Sequence, residues 1–326
     1  MDIRDRRALK DEAAQILSHY PGQKKLLLLW ISASTALSVI VSLISLYLDS
    51  QIEGTGGLSG IGLRSLLSTL QSALSLGLTI AIPFWTFGYN ASILKMARKE
   101  SAPPATLLQG FRLFGPVLRL TVFQYLIFAG LVTVCIYAGA IVLAFTPLAE
   151  PATRFLMENE SILLTGVITE EMAWEMLEAM APVLAGCGVV CLIFIPPVFY
   201  KLRLANLCLL DAPQYGAMTA LRVSGLLMRK NRFTLFKLDL SFWWFYLAQG
   251  LLLALCYADV LLPLLGIPAS FDTAASFAFY LASMVLQLVL FYFCHNQVQT
   301  TYAVFYDSLR NQPAVQTLFN HNGDTP

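Results

Sequence analysis

Few residues in this chain combine the type and the spacing that chemistry needs. Cys187 and Cys191 stand one helical turn apart, a spacing that could hold a metal, but no histidine or acid lies near them in sequence and packing is the simpler account. All six cysteines (Cys135, Cys187, Cys191, Cys208, Cys256 and Cys294) fall within or at the ends of long apolar blocks. There a reduced thiol behaves as a small hydrophobe. Gly54, Gly56, Gly57, Gly60 and Gly62 have the density of a phosphate-binding loop, yet no strand precedes them, so they read as a flexible turn. His19 and His321 sit in or near polar tails, and neither an HExxH nor a paired-cysteine motif exists. No metal or cofactor is expected.

Gly57-Leu58-Ser59-Gly60 has the outline of an intramembrane serine nucleophile, which needs a base within hydrogen-bond reach. The one histidine inside an apolar block, His295, is expected toward the opposite face. Two other groups are better candidates for binding. The first is polar: His295, Asn296, Gln297 and Gln299, joined by Asn90 and Asn206 at comparable ends of two other apolar blocks. If those ends meet, they form a polar cavity on the inner side. Gln71, Gln124, Gln249 and Gln287 read instead as interhelical hydrogen-bond partners, worth about 0.6 kcal/mol each in lipid. The second group is interfacial: Arg229, Lys230, Arg232, Lys237 and Asp239, followed by Ser241, Trp243 and Trp244. Basic residues at a membrane surface attract anionic headgroups at about 1 kcal/mol each, and tryptophan favours the interface. Asp239 is expected to pair with a basic neighbour and fix the depth of its helix; an ion-coupling carboxylate is the alternative.

The elements that must carry these residues are read from composition. Of 326 residues, 57% are hydrophobic and 13% charged, against about 25% charged in soluble domains. Uncharged stretches run from Lys25 to Asp49, Arg64 to Lys95, Arg119 to Glu150, Glu178 to Lys201, Asp239 to Asp259 and Asp272 to Asp307. A bilayer core requires about 20 apolar helical residues, so each stretch can cross. The expected fold is therefore all-α: a polytopic membrane protein of six transmembrane helices. Residues 1–310 form a single transmembrane domain and 311–326 a flexible tail. The N-terminal block, Leu26 to Leu48, is too long for a signal-peptide core and no A-x-A site follows it.

Cationic residues near crossings favour the cytosol. With the N-terminus inside, 19 of the 21 Lys and Arg residues fall in inner segments, and only Arg64 and Arg154 fall outside. Both termini are then cytosolic. The outer segment from Glu150 to Glu178 is strongly acidic, and Thr169 before Glu170 and Glu171 has the form of a helix cap. It reads as a solvated outer helix, with a cation-attracting vestibule as the alternative. The dispersed basic residues give no nucleic-acid patch.

A repeat is visible at 1–100, 101–211 and 212–310. Each unit is a cytosolic amphipathic helix followed by a membrane hairpin, making three pseudo-repeated hairpins. The amphipathic helices are expected at 3–19 (Leu9, Ala13, Ile16, Leu17), at 105–114 (Leu107, Leu108, Phe111, Phe114) and at 214–229 (Met218, Leu221, Leu226). The inward-going helices carry small residues four apart: Ala73, Gly77 and Ala81; Ala181 and Ala185; Ala274, Ala278 and Ala282. That spacing favours close approach in lipid. Pro83, Pro196 and Pro197 are expected to kink two of these helices, and each inner end runs into an acid: Glu100, Asp211 or Asp307.

The segment from Tyr200 to Trp244 carries a resemblance. Asp211-Ala212-Pro213, Ala220-Leu221 with Ser224, Met228-Arg229-Lys230 and the run Phe236 to Phe242 match it, as do Tyr302 and Phe305-Tyr306. In these features the chain resembles a family of bacterial integral membrane proteins, domain of unknown function 975. The resemblance implies a multi-span protein of a bacterial plasma membrane and supplies no activity or catalytic residue. With no catalytic constellation, the chain reads as a non-enzymatic membrane component: a scaffold, assembly factor or lipid-interacting subunit. Its expected partners are anionic lipid headgroups at the cytosolic face and an unidentified membrane protein. A small-molecule or ion transporter is the alternative, suggested by the repeats and the proline-bearing helices.

Overall fold

The computed structural model describes residues 5–54, 60–159, 170–258, 261–262 and 273–312, and every regular element among them is helical. The elements are α1 (Arg6–His19), α2 (Gly22–Gly54), α3 (Gly60–Ala97), a 3-10 turn (Pro104–Leu108), α4 (Gln109–Arg112), α5 (Phe114–Ala144) and α6 (Glu150–Glu158). There follow α7 (Glu170–Leu202), α8 (Ala205–Asp211), α9 (Gly216–Leu227), α10 (Arg232–Leu240), α11 (Trp243–Cys256) and α12 (Thr273–Leu290). A π-helical turn (Phe291–His295) leads into α13 (Asn296–Arg310). Residues 55–59 of the expected glycine turn, Thr169 of the expected cap and the tail from 313 lie outside the described residues.

Among the described residues, five stretches are long and apolar enough to cross a membrane: Gly22–Val41, Ser65–Ala97, Phe114–Ala144, Met172–Asp211 and Ala278–Arg310. α10 and α11 pass the same test only together, across a 67° bend. α3 is 38 residues long, or about 57 Å at 1.5 Å per residue, nearly twice the hydrocarbon thickness. Pro83, and Pro182, Pro196 and Pro197, remain inside α3 and α7 respectively. The irregularity of the last span is instead the π turn.

The chain divides into two compact units, one made of residues 1–120 with 204–326 and the other of 121–203. In the first, α1 starts where the Asp5 carboxylate accepts the backbone N–H groups of Arg7 and Ala8 at 3.0 and 3.3 Å. Its stripe of Leu9, Ala13 and Ile16 is buried, as the spacing predicts, and it packs against α13 and α3. α13 answers with buried Val298, Tyr302, Phe305, Tyr306 and Leu309.

The other two amphipathic segments depart from expectation. Residues 104–112 form a 3-10 turn and a single α turn, not one helix. Leu107 is buried there, whereas Leu108, Phe111 and Phe114 keep about half of their surface exposed. The cause is backbone packing on α3. A Cβ on Gly88 would lie 1.9 Å from the Leu107 carbonyl oxygen, and one on Gly110 would lie 2.0 Å from that of Phe84. Two glycines, one on each partner, let the segments touch main chain to main chain. α9 begins at Gly216, whose φ of +74° follows the turn set by Pro213. Its buried face holds Ala217, Ala220, Leu221 and Ser224, while Met218 and Leu226 point outward.

In the second unit, α5 and α7 approach through Gly139, Gly186 and Cys187, with the Cys187 thiol 3.6 Å from the Ile136 carbonyl. Ala181 and Ala185 are exposed, as are Ala73, Gly77, Ala278 and Ala282 in the first unit. The small-residue stripes are therefore not the contact faces in this structure. All six cysteines are free. On α6, Arg154 pairs with Glu150 at 2.9 Å, both largely exposed, a contact worth little in water.

Candidate functional site

Three arrangements within the first unit bring chemically capable side chains together. The π turn creates the first. Its wider ring puts Phe291 and His295 on one side of the last span, with ring centroids 4.7 Å apart. Trp30 of α2 stacks on His295 at 5.5 Å and 8°, and on Tyr89 of α3 at 4.9 Å. Tyr89 also stacks on His295, at 5.6 Å, and Phe245 of α11 lies 6.4 Å away. Next to this imidazole, the fully buried Tyr89 donates its hydroxyl to Asn296 Oδ1 at 2.5 Å. The result is an aromatic stack around one imidazole, tied to a buried amide.

The second arrangement is an ionic knot at the C-terminal ends of α3, α8 and α13. Arg98 Nη1 meets Asp211 Oδ1 at 2.6 Å, and its Nη2 meets Asp307 Oδ1 at 2.9 Å. Arg310 Nε reaches Asp211 Oδ2 at 2.6 Å, and Tyr306 donates its hydroxyl to the same oxygen at 2.8 Å. The Asp211 side chain is only 3% exposed, so its charge depends on these partners. Partial burial works against the Arg98 guanidinium, but hydrogen bonds and charge from Asp211 and Asp307 outweigh it and raise its pKa above the usual arginine value.

The third is the break between α10 and α11. A helix that ends leaves its last carbonyls without intrahelical donors. Here α1 supplies the donors. Lys10 Nζ donates to the Ser241 carbonyl at 2.9 Å, and Arg6 Nη1 to that of Lys237 at 3.4 Å. Both cations thus sit at a helix C-terminus, where the dipole favours positive charge. Lys10 Nζ also lies 4.0 Å from the centre of the Phe242 ring. Burial, and then the neighbouring Arg6 charge, lowers the Lys10 pKa below the usual lysine value. Across the break, Tyr302 donates its hydroxyl to Asp239 and stands 2.5 Å from the Tyr246 hydroxyl.

A family model now has a structure to be set against. The chain belongs to the family described as protein of unknown function (DUF975), whose model matches residues 1–313. No curated protein and no solved structure matches it significantly. The match reaches well beyond the C-terminal segment that carries the sequence resemblance. In this DUF975 chain, the residues of that resemblance are mainly joints. Asp211 and Tyr306 build the knot, Asp239 and Tyr302 hold the break, and Ala220, Leu221, Ser224, Met228 and Phe242 are buried.

The sequence-based candidates are placed as follows. His295 and Asn296 stand in the aromatic cluster, where Asn296 meets Tyr89 rather than the adjacent Asn90. Asn90, Asn206 and Gln299 are half-buried, and among the described residues no hydrogen bond joins them to one another or to Asn296. Arg229, Lys230 and Lys237 are exposed and Arg232 is half-buried; Lys237 Nζ lies 4.5 Å from the Phe233 ring centre. The carboxylate of Asp239 takes the Tyr302 hydroxyl. Sequence reasoning missed the knot as a unit. The expected repeat did give a signal, since it makes Asp211 and Asp307 ends of corresponding segments, but nothing along the chain pointed to Arg98 as their shared partner.

Proposed function

We propose that this protein is a non-enzymatic component of a bacterial plasma membrane that engages anionic lipid headgroups through α10. One observation carries the reading. α10 and the start of α11 expose Phe233, Phe236, Leu240, Trp243 and Trp244 by 64, 43, 56, 59 and 45%. Arg229, Lys230 and Lys237 are exposed beside them. Aromatic side chains interleaved with cations suit a helix lying in the interface, with rings among the acyl ester groups and cations on phosphates. On this reading α10 lies at the cytosolic surface and α11 completes a sixth crossing. Both termini are cytosolic, in line with the charge bias of the loops. Three repeats are supported by the ends of α3, α8 and α13 meeting at one knot.

The test is native mass spectrometry of the intact protein released from nanodiscs of mixed phosphatidylglycerol and phosphatidylcholine. Bound phosphatidylglycerol is expected to exceed its share of the bilayer. Combined Arg229→Glu, Lys230→Glu and Lys237→Glu is expected to abolish the excess. Retention that follows bulk composition in the unmodified protein contradicts the reading. A transporter is the second reading, favoured by the aromatic stack and buried amide at the π turn, since such irregular turns often mark working sites. Its test is solute flux into proteoliposomes, lost on His295→Ala.

A further inference from the structure

α2, α3 and α12 enclose a groove of about 330 Å³ along the membrane-spanning part of the first unit. Ile82 and Leu288 give it apolar walls, but Ser34, Thr35, Ser38 and Gln287 also line it. Among the described residues no charged side chain does. Gln287 is exposed, and among the described residues its amide has no partner. Thr35 is in the same position: its hydroxyl is unbonded among the described residues, although the neighbouring Ser34 and Ser38 donate to the Ile31 and Ser34 carbonyls at 2.9 and 3.0 Å. Those two serines retain free acceptor lone pairs. Two unmet polar side chains and two spare acceptors thus face one groove on helices that hydrocarbon surrounds. Hydrocarbon cannot satisfy them, and polar groups left so are expensive.

We propose that this groove binds an uncharged amphiphilic lipid, of the acylglycerol type, whose hydroxyl and ester groups meet Gln287 and Thr35 while its chain follows the apolar walls. A ligand without a phosphate follows from the lining, because among the described residues no cationic side chain there could balance one. Amide donors, an amide acceptor and hydroxyls together suit a ligand that carries both an alcohol and a carbonyl. The groove shares no residue with the basic helix α10, so this binding is independent of headgroup recognition there.

The full-length protein in phosphatidylcholine nanodiscs would be photolabelled with a diazirine-bearing diacylglycerol, and the adducts mapped by mass spectrometry. Adducts are expected on α2 and α12 around the groove, displaced by unlabelled diacylglycerol and not by phosphatidylglycerol. Gln287→Leu and Thr35→Val should each weaken labelling about threefold to tenfold, the loss of one hydrogen bond in lipid. Both substitutions are apolar and close in size to the original side chains, so the variants are expected to fold in a membrane. Ser38→Trp, which fills the groove and leaves both polar groups in place, should abolish labelling. The combined Arg229→Glu, Lys230→Glu and Lys237→Glu changes should leave it unchanged. Adducts scattered along the lipid-facing surface, labelling indifferent to all three groove variants, or equal displacement by phosphatidylglycerol would overturn the proposal. So would absent labelling with a disulfide-linked dimer formed by Gln287→Cys, because the occupant would then be a second copy of the chain.

Discussion

Asp211 is the residue with most at stake in the first unit. It is almost completely buried, and its charge is balanced by Arg98 and Arg310 and by the Tyr306 hydroxyl. A buried pair adds little net stability over an apolar replacement, but removing one member strands the other. Arg98→Ala is therefore expected to destabilise by about 3 kcal/mol, the lower end for a buried pair because Arg98 itself is 26% exposed. The double change Arg98→Ala with Asp211→Ala should be less destabilising than the two single changes summed. Apparent melting temperatures in detergent would show both effects. An additive double variant would mean that the pair is not coupled. The knot also shows the limit of reading a single chain. Asp211 and Asp307 can be marked as corresponding ends of a repeat, but Arg98 lies more than a hundred residues from its partners. No spacing rule links residues so far apart.

At the scale of elements, periodicity served well where one helix buries one stripe. α1 is the case in point: Leu9, Ala13 and Ile16 are the positions that spacing selects and the positions that are buried. It served poorly where the contact is main chain on main chain. The segment 105–114 was expected as an amphipathic helix with Leu107, Leu108, Phe111 and Phe114 as its apolar face, yet its close contact is made by Gly110, and by Gly88 opposite. Side-chain hydropathy carries no information about such a joint. Gly88→Ala should therefore be severe, since the new methyl would overlap a backbone oxygen that cannot rotate away. We expect a loss of about 3 kcal/mol, the upper range for overpacking, read as a lower melting temperature or poor yield. Gly77→Ala is the control. Its Cβ meets nothing within 4 Å, and it should be near neutral. Equal behaviour of the two variants would remove the close-approach account.

For the molecule as a whole, composition and charge gaps were enough to read an all-helical, membrane-spanning chain, because hydrocarbon demands long apolar helices whatever the details. Among the described residues, five candidate spans follow directly from helix length and apolarity. The fifth uncharged stretch, Asp239 to Asp259, proved subtler, since α11 reaches span length only together with α10, across a bend of 67°. The bend is held from outside by Lys10 and Arg6 on α1, a donor arrangement that hydropathy cannot report. The π turn that gathers Trp30, Tyr89 and His295 was equally hidden, because its residues look like any apolar run. In the candidate polar site, His295 and Asn296 could be found from residue type, while their aromatic partners could not.

The central claim is that the cationic ends of these spans share one side of the membrane. Single cysteines at Lys99, Arg154 and Lys230, in a background without the native cysteines, would be probed with a membrane-impermeant maleimide in right-side-out and inverted vesicles. The account predicts that Lys99→Cys and Lys230→Cys react only in inverted vesicles and Arg154→Cys only in right-side-out ones. Reaction of Lys99→Cys and Lys230→Cys from opposite sides would contradict it.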